Sequence, residues 1–429
     1  MQRADRERCG EACRMHGRRR TRSPHPPCPR CSLSAQTAMH RIAQQTRRTL
    51  VATAQRGFSK AATAATPTAT AAASAAASPP AAPLSLCSTV ALRSGARMPL
   101  LGLGTWRADP GLVAASVTAA LDAGYRSIDG AAVYGNEAEV GSAIKEWCSR
   151  TATPRSEIFI TNKLWNTFHA PADVRWALER SLRLMQLDYF DLFLVHWPVA
   201  FKRTTLADGS EDLYPKQRNR SKDMLFAEPD IPLADTWAAM LDARRAGLTR
   251  DVGVSNCTSS QVEALCKEFQ TADQWPSMNQ VESHPFCTQH RMAARLQTLG
   301  VGITAYSPLG NIHAAPPSAG IASASASSAK TPPPASPLVH PLICEIASSH
   351  GVTPAQVLLR WNLQLGRVVL PKSVRAERIR ENAALFHFEL TPEDMKRIES
   401  LNAPPTQQRF LNPTSFKREP RKYFFTEIE

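Results

Sequence analysis

Four side chains in this sequence have the types needed to move a proton onto a carbonyl oxygen: Asp129, Tyr134, Lys163 and His196. Asp129 lies near the end of the run RSIDGA, Tyr134 follows five residues later, Lys163 lies at the end of IFITNKL, and His196 closes YFDLFLVH. A phenol at its ordinary pKa of about 10 is a poor acid at neutral pH, and a neighbouring ammonium would stabilise phenolate and bring that value down. Asp129 would keep Lys163 charged and oriented, Tyr134 would donate the proton, and His196 would orient the carbonyl or relay the proton. Each residue alone reads more simply as a structural group. Four at the ends of successive apolar runs point to chemistry.

Those ends belong to a repeating framework. Eight short apolar runs recur: MPLLGLGT from Met98, RSIDGA from Arg126, IFITNKL from Ile158, YFDLFLVH from Tyr189, RDVGVSN from Arg250, SMNQVES from Ser277, GITAYSP from Gly302 and RVVLPKS from Arg367. Between them lie segments such as PADVRWALERSLRLM, LADTWAAMLDARRAG and VRAERIRENAAL, where apolar residues recur at the three- and four-residue steps of a helix covering a sheet. The alternation predicts an α/β fold, a (β/α)8 TIM barrel whose active site sits where the strands end. LCSTVAL, RSGA and RMPLLGLGTW predict an N-terminal hairpin with Gly95 in its turn. TPEDMKRIESLN predicts a late helix, with Pro392 at its first position and Asp394 opposite Thr391 in a variant capping box. The last 28 residues form a C-terminal tail able to fold over the barrel mouth.

Charge is distributed unevenly. The chain carries a net +14, but residues 1–85 hold 14 Lys+Arg against 3 Asp+Glu, leaving 37 against 34 for the rest. The basic character therefore belongs to a leader and not to the folded part, and no nucleic-acid partner is expected. From Cys13 through Ala108 there is no Asp or Glu. Met39 opens MHRIAQQTRRTLVATAQRGFSKAA, where Ile42, Leu50 and Val51 share an apolar face opposite several arginines, a pattern similar to a mitochondrial presequence. Mitochondrial location is expected if that segment is functional, cytoplasmic otherwise. Ala61 to Pro83 is low-complexity Ala, Thr, Ser and Pro. The domain boundaries expected are thus a disordered leader over 1–85 and a barrel over 86–429.

Two long connections interrupt the barrel rhythm: a polar, Pro-rich segment from about Pro198 to Pro232, and a low-complexity insertion at about 313–337. No run of about 18 uncharged apolar residues exists, so no membrane span is expected. The pair CPRC at Cys28 has metal-ligand spacing but no second pair at a suitable distance, and no metal site is expected. Cys87, Cys148, Cys257, Cys266, Cys287 and Cys344 read as reduced, mostly buried thiols.

The stretches GLGTW at Gly102, SIDGAAVYGNEAEVG at Ser127, FITNKLWNTFH at Phe159, LFLVHWP at Leu192, VGVSN at Val252, NQVESHP at Asn279, AYSPLG at Ala305 and LPKSVRAERIREN at Leu370 resemble the aldo-keto reductases, in family order over roughly residues 86–425. The resemblance, to the aldose reductase-like NADPH-dependent carbonyl reductases, makes Asp129, Tyr134, Lys163 and His196 a catalytic tetrad with Tyr134 as acid. It implies that Ser255, Asn256 and Gln280 hold the nicotinamide carboxamide, that Tyr306 stacks on its ring, and that Ser307 and Leu309 meet the pyrophosphate. Gly104, Thr105 and Val374 join that cofactor set. Lys372, Ser373 and Arg378 resemble a clamp on the adenosine 2′-phosphate, with Glu381 and Asn382 near the adenine. Two cations and a hydroxyl suit a phosphate dianion, so NADPH is expected over NADH.

Trp106, Trp165 and Trp197, with His196 and Phe168, would form an aromatic substrate pocket. The activity implied is NADPH-dependent reduction of an aldehyde or ketone to an alcohol, with an apolar or planar carbonyl compound favoured by the aromatic wall. Its alternatives are a dedicated prostaglandin, sugar or keto-acid reductase of the same family, and a non-catalytic NADPH-binding regulatory barrel. A monomer is the family's habit.

Overall fold

A computed structural model describes residues 83–215, 231–310, 336–403 and 409–411, all within one compact unit spanning Ala81–Glu429. All but the last three residues of the expected leader, most of the Ala/Ser/Pro insertion, part of the long segment after His196 and most of the tail lie outside the described residues.

Two strands, β1 (Thr89–Ala91) and β2 (Arg97–Pro99), form an antiparallel hairpin. Its turn closes through Leu92 and Ala96, with Gly95 at φ +84°, the left-handed backbone that favours glycine. Eight parallel strands follow: β3 (Leu103–Gly104), β4 (Ser127–Asp129), β5 (Phe159–Leu164), β6 (Phe190–Val195), β7 (Thr249–Ser255), β8 (Met278–Glu282), β9 (Gly302–Tyr306) and β10 (Val368–Leu370). Each pairs with the next in chain order. A bridge from Leu101 to Val369, with Gly102 and Gly104 N–H donating to Val369 and Pro371 carbonyls, joins the last strand to the first. The result is a closed (β/α)8 barrel. The run MPLLGLGT is thus split between two elements, Met98 and Pro99 serving the hairpin and Leu101 to Gly104 the barrel.

Helices α1 (Val113–Asp122), α2 (Glu137–Thr151), α3 (Pro171–Met185), α4 (Leu233–Arg245), α5 (Ser259–Glu268) and α6 (His290–Thr298) follow β3 to β8 in turn. Two more, α7 (Pro341–Ser349) and α8 (Pro354–Gln364), precede β10, and α9 (Ala376–Ala383) and α10 (Pro392–Glu399) follow it. The periodicity reading assigned no element to the α7–α8 stretch. Capping explains several starts: Thr258, Thr353 and Thr391 each accept from the N–H three residues on, and Gln261, Gln356 and Asp394 each reach back to the cap N–H.

The main core, from Met98 and Leu101 through Ile128, Ile160, Leu194, Val254 and Val369, fills the barrel and its helix layer. A second cluster of Ile343, Ile346, Val357, Leu358, Trp361, Leu390 and Ile398 welds α7, α8 and α10 together. No helix among the described residues is long and apolar enough to cross a membrane. Of the described cysteines, Cys257, Cys266 and Cys287 are buried, whereas Cys87 and Cys344 are exposed.

Candidate active site

Asp129 is the last residue of β4, and the chain continues from it into a 3-10 turn, Ala132–Tyr134, that ends on Gly135 at φ +70°. That turn brings Tyr134 back over the strand ends, although the residue stands outside any strand. From β5, Lys163 reaches the same place. Its ammonium donates to Asp129 Oδ1 at 2.5 Å, to the Gly130 carbonyl at 2.8 Å and to Tyr134 Oη at 3.3 Å. An ammonium has three N–H donors, and all three are used. The other Asp129 oxygen accepts from Gln280 Nε2 at 2.7 Å, so the carboxylate ties β4 to both β5 and β8.

His196 follows β6, its ring edge-on to Tyr134 and Trp165 with centroids 5.8 Å and 5.2 Å away. Its Nδ1 is buried without a hydrogen-bond partner among the described residues. Its backbone carbonyl accepts from Asn256 Nδ2 at 3.0 Å, which links the proton-transfer cluster to a second network at the ends of β7, β8 and β9. There Ser255 Oγ donates to the Gln280 carbonyl at 2.8 Å, and Tyr306 Oη donates to Asn256 Oδ1 at 2.8 Å. Asn256 and Ser307 both adopt left-handed backbone, φ +58° and +47°, which turns the chain sharply at the ends of β7 and β9.

Electrostatics departs from the sequence expectation at one residue. Burial, and then the negative charge of Asp129, hold the Tyr134 phenol well above its ordinary pKa, not below it. The carboxylate that orients Lys163 also offsets its field at the phenol. Burial pulls the Lys163 ammonium down, opposed by the charge and hydrogen bond of Asp129. Burial, with help from the Lys163 charge, keeps His196 well below its ordinary value, so its imidazole is neutral at physiological pH.

These groups line a cavity of about 380 Å³. Asp129, Tyr134 and His196 lie on its wall, as do Gly104, Thr105, Ser255, Asn256, Gln280, Tyr306, Ser307, Leu309 and Lys372 from the expected cofactor set. Lys163 stands behind Asp129 and Tyr134, 1 % exposed. Thr105 Oγ1 donates to the Asp129 carbonyl at 2.8 Å, and Lys372 Nζ donates to the Arg107 carbonyl at 2.9 Å. Five expected cofactor residues do not line the cavity. Ser373 Oγ accepts from the Arg375 N–H at 3.1 Å, Val374 is exposed, and Arg378 is exposed on α9. Glu381 accepts from Thr353 Oγ1 at 2.7 Å, while Asn382 is buried.

Trp106, Trp165 and Trp197 line the cavity, but Phe168 does not. It is turned into the helix layer, tilted against Trp176 with centroids 5.5 Å apart. Further cavity residues escaped the sequence reading, among them Arg107, whose guanidinium lies over the Trp106 ring at 4.5 Å; Tyr214, edge-on to Trp165 at 5.4 Å; and Phe410 and Leu411 of the tail. Tyr214 and the tail pair sit in segments without helical or strand periodicity, where no local pattern marks a side chain as facing a pocket. Arg107 follows Trp106 directly and could have been suspected from that adjacency alone.

Residues 100–403 match the model of the Aldo/keto reductase family. The protein named Aldo-keto reductase family 1 member A1-A from Danio rerio is 41 % identical over 333 residues, 77 % of this chain and 94 % of its own length. Aldo-keto reductase family 1 member A1 from Homo sapiens is 39 % identical over 316 residues, 73 % of this chain and 89 % of its own. Among solved structures, the aldose reductase from Schistosoma japonicum superposes with a TM-score of 0.67 at 34 % identity, covering 79 % of this chain and 99 % of that one.

Proposed function

The chain belongs to the aldo/keto reductase family, and from that premise we propose that it reduces an aldehyde or ketone to an alcohol with NADPH, Tyr134 acting as general acid. The observation that carries the proposal is the Lys163 ammonium, saturated by Asp129, Gly130 and Tyr134 directly behind the cavity wall. A carbonyl oxygen seated against Tyr134 Oη meets a phenol that stays protonated until it is needed, because burial and Asp129 hold its pKa high. As electrons reach that oxygen it becomes a much stronger base than phenolate, and the phenol gives up its proton. The phenolate left behind is 3.3 Å from Lys163 Nζ, which stabilises it. Neutral His196 can offer a hydrogen bond to the same oxygen without adding a charge.

The residues present fit NADPH. Ser255 Oγ and the amides of Asn256 and Gln280 supply donors and acceptors suited to a carboxamide, and the Gln280 Oε1 makes no hydrogen bond among the described residues. Tyr306 places an aromatic ring on the cavity wall with its hydroxyl fixed by Asn256. Lys372 and exposed Arg378 supply cations for a phosphate. When bound there, NADPH supplies the hydride that the carbonyl carbon receives.

The test is consumption of NADPH by the full chain with a panel of aliphatic, aromatic and sugar aldehydes and ketones. Tyr134→Phe should lower turnover on the order of 10²–10⁴-fold while leaving NADPH affinity in place. Turnover that survives this substitution would refute the assignment of the acid. Binding of NADPH with no turnover of any carbonyl would leave a regulatory barrel as the reading. Lys372→Ala with Arg378→Ala should weaken NADPH more than NADH.

A further inference from the structure

We infer that Glu282 is a positioning residue for substrate selection: its buried carboxylate fastens the C-terminal strap whose Phe410 and Leu411 form one wall of the cavity. This rests on the reductase reading, since the substrate it selects is the carbonyl compound.

Glu282 ends β8, two residues beyond Gln280, and its side chain is fully buried. A carboxylate there is costly unless its oxygens are satisfied. They are satisfied from outside the barrel. Oε1 accepts from the Phe410 backbone N–H at 2.8 Å, and Oε2 accepts from the Leu411 N–H at 3.1 Å. His284 Nε2 sits 3.0 Å from Oε1. Burial works to raise the Glu282 carboxyl, but the His284 hydrogen bond, the charges of His284 and Arg409 and the Phe410 N–H outweigh it, so it stays ionised.

The strap is held at other points by the same loop. Thr288 N–H donates to Asn402 Oδ1 at 3.2 Å, and Ala403 N–H donates to the Phe286 carbonyl at 3.1 Å. The Phe410 ring lies 5.0 Å from the His284 ring. On another side it meets Gly310, where an added Cβ would come within 2.9 Å of Phe410 Cε2. Phe410 is thus set in a slot, with its main chain gripped by the carboxylate. Glu282 touches neither Tyr134 nor His196; it is the strand partner of Tyr306 across β8 and β9, so the contrast between small and bulky carbonyls separates an effect on the wall from one on the cofactor side.

The experiment compares Glu282→Gln, Phe410→Ala and the double variant in the full chain, with backbone hydrogen exchange, thermal unfolding and steady-state kinetics. Glutamine keeps the shape but turns one acceptor into a donor facing a strap N–H. Exchange at Phe410 and Leu411 should speed up at least tenfold in Glu282→Gln, a readout that needs no turnover and stands even if the reductase reading fails. The KM of bulky apolar carbonyls should rise several-fold, with kcat for the smallest aldehydes held within about twofold. Phe410→Ala should reproduce that pattern, and the double variant should be no worse than the worse single one. If Glu282→Gln does not fold, Leu411→Pro removes one strap donor and should give the same KM shift. Unchanged exchange at 410–411, or equal losses for small and bulky carbonyls, would overturn the inference.

Discussion

Lys163 shows how one residue can be both catalytic support and structural keystone. Its three donors bind three acceptors from two elements, and its side chain is fully withdrawn from water. Removing one partner of a buried pair leaves the other uncompensated, which typically costs about 3–5 kcal/mol. Lys163→Met should therefore lose stability by about that amount in urea unfolding, as well as turnover, because Asp129 would keep only Gln280 Nε2 on its carboxylate oxygens. A Lys163→Met variant as stable as wild type would refute the structural half of this role. The types and spacing of the four cluster residues were legible in the sequence because each falls at or just beyond a strand end. The direction of the Tyr134 shift was not, because it depends on whether Asp129 or Lys163 dominates at the phenol, and that is a matter of distances. Phe168 illustrates the same limit: an aromatic residue beside Trp165 in sequence points to the other side of the wall.

Elements read best where one face alone is buried. The helix α3 has a clean stripe, Val174, Leu178, Leu182 and Met185, at three- and four-residue steps, and its limits agree with the sequence reading. By contrast α8 buries every residue from Gln356 to Leu363, so no polar face marks its period. Its capping box, Thr353 with Gln356, was the one local signal available. Helix–helix contacts carry a second kind of information that the sequence does not display. Gly141 of α2 lies directly against the end of α3: a Cβ there would sit 2.2 Å from the Met185 carbonyl oxygen and 2.4 Å from its Cα. Both are backbone atoms, which cannot swing aside. Gly141→Ala should consequently destabilise the barrel by about 1–3 kcal/mol through overpacking, despite alanine's better helix propensity. Chemical denaturation decides it, since a neutral or stabilising effect would show that α2 and α3 can separate at no cost.

At the scale of the whole molecule, the two ends of the described barrel unit close the two ends of the barrel. The hairpin side is tied down by Arg93, whose Nε donates to the Pro276 carbonyl at 3.1 Å, and by the Ser94 N–H, which donates to Asp251 Oδ2 at 3.0 Å. The strap at 409–411 holds the opposite side through Glu282. Enclosure from both sides leaves titratable groups without water, and this sets how the fold responds to acid. Burial lowers His169 to about 3, and its Nε2 has no hydrogen-bond partner among the described residues; His196 is lowered in the same direction. A histidine depressed in the folded state is neutral in both states above its unfolded value near 6.5, so it adds no pH dependence there. Below that value the unfolded chain takes up a proton that the folded chain refuses, and stability falls as pH drops towards the folded value. One such histidine costs about 1.4 kcal/mol for each pH unit over that window. Urea unfolding of the full chain at pH 7.5 and 5.5 should show the loss, and His169→Gln, which cannot titrate, should remove about 1.4 kcal/mol of it. Equal pH slopes in the two proteins would mean that His169 takes its proton without unfolding.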